Sequence, residues 1–213
     1  MLRHYGAVAL RNLLRQRLHT AVTVAVLALG FTCFIAAYLL VSYLRGYDRH
    51  FANGERIQVV FQGMQGPAFS WPVYPASSDL LAAQLALDVP EPDAVARARN
   101  ANQAFVTLDG ESRFQLVRFV DPAFLDIFDF QALEGDVRGA LAEPHNAIIT
   151  ARAADALFGS RNVVGRTLTV TERLPGDVTI AAVIEDLPAA SHMGRGLMSA
   201  GSFDLLLSWQ MGE

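Results

Sequence analysis

The chain contains no lysine; all 17 of its basic groups are arginine, which reads as genomic bias rather than mechanism. Its single cysteine, Cys33, lies inside an apolar stretch, so residues 45–213 cannot contain a disulfide and must rely on an apolar core. No GxxxxGK[ST] phosphate loop is present, so any ATPase is expected in another chain or a missing segment. The five histidines (4, 19, 50, 145 and 192) never fall into HxxxH spacing, which argues against zinc. There is no G-x-S-x-G elbow and no DxDxDG calcium loop. Neither a basic face nor an aromatic–basic stripe occurs, which argues against nucleic acid as a partner.

One long apolar run is present. Thr20 to Leu44 carries no charge, and it is bracketed by Arg17 and His19 before it and Arg45 after it. A bilayer core needs roughly 20 helical residues; this run of 25 residues would extend about 37 Å. It is too long for the apolar region of a signal peptide, and Tyr38 and Tyr43 are bulky where a cleavage site wants small residues. A retained membrane anchor is therefore expected. Within it, Ala21, Ala25 and Ala28 offer a small-residue face, whereas Gly30 has Val26 and Phe34 at its i−4 and i+4 positions, so no GxxxG contact forms.

Charge gives the expected orientation. Residues 1–19 hold Arg3, Arg11, Arg15, Arg17, His4 and His19 and no acid; residues 45–213 hold the other 13 arginines against all 21 acids, a balance of −8. Short arginine-rich flanks stay on the cytoplasmic side. The expected organisation is a cytoplasmic flank (1–19), a membrane helix (20–44) and an outer domain (45–213) in the periplasm or extracellular space, which places the chain as a single-pass protein of the inner (plasma) membrane. Residues 2–19 read as an amphipathic helix, with Leu2, Ala9, Leu10, Leu13, Leu14 and Leu18 on one face and Arg11 and Arg15 on the other. Such a helix either lies against membrane lipid or is a plain topogenic flank.

Local patterns in the outer domain predict a mixed α+β fold, of a size suited to one domain or two small lobes with a shared core. Arg56–Phe61 is a β-branched run and a predicted first strand. Residues 63–78 are rich in Gly, Pro and aromatics and predict an irregular loop. Ser78 or Asp79 could cap a helix through Leu87. Two β-rich runs around Asp109–Gly110 predict a hairpin over 104–120. Asp121–Pro122 predicts a helix start capped by the Asp121 carboxylate, with Phe124, Leu125 and Phe128 inward. A strand is predicted at Asn146–Thr150, a helix closing at Gly159, and paired strands at 167–171 and 178–185 around a turn near Pro175–Gly176.

Candidate sites are few. Ser191–His192 suggests a nucleophilic pair, but adjacent side chains rarely aim at each other, and the pair reads as a loop after a strand. Asp126, Asp129, Glu134 and Asp136 suggest a cation site, yet their spacing fits a solvated helix end better. Glu185–Asp186 reads as a turn. Phe69, Trp71 and Tyr74 could insert into a partner or the outer leaflet, or pack back onto their own domain. No catalytic, cofactor-binding or metal-binding residue is assigned, no cofactor is expected, and the chain is not read as an enzyme.

Three blocks resemble a known family: VDPAFLDIFDFQALEGD (120–136), NAIITARAADALFGSRNVVGRTLTV (146–170) and DVTIAAVIEDLPAASHM (177–193), preceded by ALRNLLRQRLHT (9–20) before the span. In this order they are similar to ABC-transporter permeases of the MacB/FtsX type, in which a membrane helix leads into a periplasmic core domain. Residues 63–103 carry none of the resemblance. Ala190 stands where relatives often have Asn before the Ser-His pair. The resemblance implies a dimeric permease, formed with itself or a second permease, that relays movements of a cytoplasmic ABC ATPase to the periplasmic domain in export or envelope processes. Family permeases carry further spans beyond this domain, so the sequence is expected to be a fragment or an incomplete reading of a longer gene. The alternative is a stand-alone, membrane-anchored periplasmic interaction or sensor module.

Overall fold

A computed structural model of the chain describes residues 11, 15–63, 73–74, 76–171, 175–196 and 201–212. It divides into two compact units, residues 1–47 and 48–213. The amphipathic reading of residues 2–19 falls largely outside the described residues, as do Phe69 and Trp71.

Helix α1 (Arg17–Arg45) runs for 29 residues with none buried. At the α-helical rise this is about 43 Å, long and apolar enough to cross a membrane. Its hydroxyls are satisfied internally: Thr23 Oγ1 donates to the His19 carbonyl at 2.9 Å and Thr32 Oγ1 to the Ala28 carbonyl at 2.8 Å. Such back-bonding suits a helix whose surroundings offer no other acceptor.

The second unit is α+β. Its strands are β1 (Gln62–Gly63), β2 (Val73–Tyr74), β3 (Asn102–Leu108), β4 (Glu111–Val120), β5 (Ala132–Gly135), β6 (Asn146–Thr150), β7 (Thr167–Thr171), β8 (Pro175–Ile184) and β9 (Leu205–Ser208). Its helices are α2 (Leu80–Asp88), α3 (Phe124–Ile127) and α4 (Ala151–Phe158). The main sheet has the order β5-β8-β6-β9-β4-β3-β7, and β7 also pairs with β8. Strands β8, β6, β9, β4, β3 and β7 therefore close into a ring, which leaves few free edges.

Alternation along the ring separates two cores. Ala104, Val106, Val117, Phe119, Ala147, Ile149, Ile180, Leu205 and Leu207 share one cluster with Ala153 and Ala154 of α4. On the other face, Val120, Ile148, Ala182, Ile184 and Leu206 are covered by Phe51, Phe124, Leu125, Phe130 and Phe203. The register slips between Ala147 and Ile148. That bulge lets Ile180 and Val183 of β8 serve the first core while Ala182 and Ile184 serve the second.

Several local readings hold. The hairpin turns at Asp109 and Gly110, with φ of 51° and 84°, the double positive φ that suits a two-residue turn. Asn146–Thr150 is a strand, and α4 ends in a left-handed Gly159 (φ 66°). Others fail. Gly54–Arg56 forms a 3₁₀ turn at the start of Arg56–Phe61, and Val59, Val60 and Phe61 are exposed and pair with no strand among the described residues. Residues 63–78 are interrupted by strand β2. The Asp121 carboxylate does not cap α3, because Arg97 holds it through two side-chain bonds at 2.9 Å. Pro175 and Gly176 belong to β8 rather than to a turn before it. Strands β5 and β9 are additions that the pattern did not predict.

Candidate functional site

A connected polar cluster sits where the second unit begins. Asp48 follows the last residue of α1, Arg45, by three positions, and its backbone is left-handed (φ 54°). An aspartate tolerates that conformation better than most residues. Its N–H donates to the Ala190 carbonyl at 3.0 Å. Its Oδ1 accepts from Ser191 Oγ at 2.7 Å and from the His192 N–H at 2.9 Å, and its Oδ2 meets His192 Nδ1. Burial alone would raise the Asp48 carboxyl, but the bonds from His192 and Ser191 outweigh it and hold the group below its ordinary value.

Two further anchors lie within four residues. Phe51 is buried among Phe128 and Phe130, with ring centroids 5.0 and 6.0 Å away. The Ala52 N–H donates to Asp129 Oδ1 at 3.2 Å. The entry segment is thus fixed by a carboxylate, an aromatic ring and a backbone bond.

The partner segment, 186–204, joins β8 to β9 and is held at both ends. Ser191 is buried, and its Oγ accepts from the Met193 N–H at 3.2 Å while donating to Asp48. A Cβ on Gly194 would lie 2.0 Å from the Pro188 carbonyl oxygen, so only glycine fits that turn. Further on, the buried Asp204 carboxylate receives the Leu116 N–H at 3.0 Å, Arg195 Nη2 at 2.9 Å and Arg152 Nη2. Asp204 therefore ties β4, α4 and this segment together.

The Ser191–His192 pair accordingly faces one carboxylate from two sides. A nucleophilic triad needs the imidazole between the hydroxyl and the acid; here Ser191 and His192 both bind Asp48 directly, and the hydroxyl is buried. The arrangement is a latch. Its acid went unrecognised in the sequence because 143 positions separate it from Ser191.

The remaining candidates are dispersed. Asp129 binds the entry segment, Glu134 accepts the Val163 N–H at 2.9 Å, and Asp136 accepts the Arg138 N–H at 3.1 Å. Asp126 is exposed. Asp186 accepts the Arg152 N–H at the start of α4 at 3.2 Å, and the Glu185 N–H binds the Gln131 carbonyl. Among the described residues no group of three His, Cys, Asp or Glu is placed to hold a metal. Gly30 has no other atom within 4 Å of where its Cβ would stand, and Cys33 is exposed on α1. The backbone of Tyr74 lies in β2.

One charged residue escaped the sequence reading. Arg118 on β4 is half-buried, its Nε has no hydrogen-bond partner among the described residues, and burial lowers its pKa.

Comparison with known proteins then gives the family. No curated protein matches the chain. Among solved structures, a domain of a putative permease protein from Porphyromonas gingivalis is 22% identical, with a TM-score of 0.49 over 61% of this chain and 52% of that one. The periplasmic region of MacB from Actinobacillus actinomycetemcomitans is 12% identical, with a TM-score of 0.41 over 61% and 56%. The extracellular domain of the noncanonic ABC-type transporter YknZ from Gram-positive bacteria is 13% identical, with a TM-score of 0.40 over 55% of each. The chain thus spans about half the length of the solved structures it matches. The family model described as the MacB-like periplasmic core domain matches residues 20–212, from the start of the apolar run to the last turn, and the chain belongs to that family.

Proposed function

We propose that the chain is the first membrane helix and periplasmic core domain of an ABC-type permease, transmitting force rather than catalysing a reaction. The family match over residues 20–212, which takes in both the apolar helix and the ring domain, carries this reading. The absence of a phosphate loop in the sequence requires any ATP hydrolysis to come from another chain or segment. In this reading residues 1–19 face the cytoplasm, residues 20–44 cross the inner membrane, and residues 45–213 stand outside it. The lack of acids before residue 45 supports that orientation.

The latch gives the reading a mechanical element. In this reading movement of α1 enters the domain at its first residues, where Asp48 is bonded to Ala190 and Ser191. A pull on Asp48 acts on Ser191 and His192, which lie between β8 and the buried strand β9 in the chain.

The test is affinity purification of the natural protein from its own membrane. The expected result is co-elution of an ATP-hydrolysing subunit. Repeated recovery without one would count against the permease reading and favour a stand-alone anchored module.

A further inference from the structure

Beside the Asp204 cluster lies a cavity of about 160 Å³ lined by Arg152, Asp186, Leu187, Met193, Arg195 and Phe203 among others. It shares Met193 with the latch segment but is not lined by Asp48, Ser191 or His192. Three observations bear on what it would hold.

The first is unspent hydrogen-bonding capacity. Arg152 and Arg195 each reach Asp204 through Nη2 alone, and their side chains remain 44% and 50% exposed. A guanidinium has five donors in a planar fork, so both side chains keep donors outside that bond. Asp186 uses Oδ1 for the Arg152 N–H and keeps Oδ2. The second is charge: both guanidinium groups pair with the buried Asp204, and Asp186 lines the same cavity, so these four groups sum to zero while offering a positive side and a negative side. A dianion would add charge that nothing there offsets; a zwitterion would not. The third is shape. Met193 and Phe203 are buried and Leu187 is half-buried, which gives the cavity an apolar wall. Its volume suits one small apolar side chain and its backbone.

We propose that this cavity binds a free apolar α-amino acid of about leucine size. The ligand carboxylate takes the outer donors of Arg152 and Arg195, its ammonium takes Asp186, and its side chain rests on Leu187, Met193 and Phe203. The domain would then sense or receive an amino acid at the base of the segment that forms the latch. The proposal does not depend on the permease reading, since amino-acid binding is measured without an ATPase present.

The test uses the full chain in lipid nanodiscs with methionine methyl groups labelled with ¹³C. L-leucine is expected to shift the Met193 methyl resonance saturably, with a dissociation constant on the order of 1 mM or below. N-acetyl-L-leucine and L-leucinamide, each lacking one charge, are expected to bind at least about tenfold more weakly. Asp186→Asn keeps an acceptor for the Arg152 N–H and so should fold as wild type, with leucine affinity about tenfold lower. No saturable shift up to about 20 mM leucine would overturn the proposal. So would N-acetyl-L-leucine binding as tightly as leucine, or unchanged leucine affinity in Asp186→Asn.

Discussion

Asp48 concentrates three hydrogen bonds on one carboxylate, so its removal should be felt well beyond its own turn. Asp48→Ala removes the carboxylate that accepts from the buried Ser191 hydroxyl and the His192 N–H. The expected cost is about 1–3 kcal/mol of domain stability, read from denaturant unfolding. The pH dependence has a fixed sign. The Asp48 carboxyl in the fold is held below its ordinary 3.8, so the unfolded chain protonates first as pH falls. The stability difference between wild type and Asp48→Asn should therefore be full above pH 3.8 and shrink as pH drops below it. Arg118 has the opposite character. Its half-buried guanidinium has an unpartnered Nε among the described residues, so Arg118→Met should raise the unfolding midpoint, by about 1 kcal/mol in stability. At this scale the sequence showed the Ser191–His192 pair but not its use, because side-chain partners far apart in the chain leave no local pattern.

Elements were legible where a local rule sufficed. The Asp109–Gly110 turn, the run Asn146–Thr150 and the helix stop at Gly159 each follow from backbone preferences within a few residues. Strand β9 was missed because all four of its residues are buried, so LLLS shows no alternation. Strand β5 was missed because it is four residues long and mostly exposed. Arg56–Phe61 misled because propensity cannot supply a partner strand. Two substitutions test the elements that hold the cluster. Thr150 Oγ1 caps α4 by accepting the Ala153 N–H at 3.3 Å, so Thr150→Ala should cost about 1 kcal/mol in thermal unfolding. Gly135 has a φ of 79°, and a Cβ there would lie 2.2 Å from the Ala181 carbonyl oxygen. Gly135→Ala should be far worse, at about 3 kcal/mol or more, with lost β5–β8 pairing visible in amide exchange.

Across the whole chain, the apolar run and the charge asymmetry were legible because membranes impose length and charge rules that need no tertiary structure. The β7–β8 pairing was legible because the two strands are neighbours in the chain, but the closed ring was not, since the β3–β7 and parallel β4–β9 pairings join distant segments. Orientation has a direct check. With Cys33→Ser and Glu143→Cys, an impermeant maleimide added to intact spheroplasts should label the protein. Labelling only after lysis would reverse the assigned sides.

The most direct measurement is hydrogen–deuterium exchange on the proposed permease complex, recovered from the membrane with an ATP-hydrolysing subunit, with and without ATP. The His192, Met193 and Gly194 amides are all bonded within or beside the latch. If movement enters the domain at Asp48, their exchange should change with nucleotide. Unchanged exchange at these amides, while the ATPase subunit itself responds to ATP, would contradict a force-transmitting role for this junction.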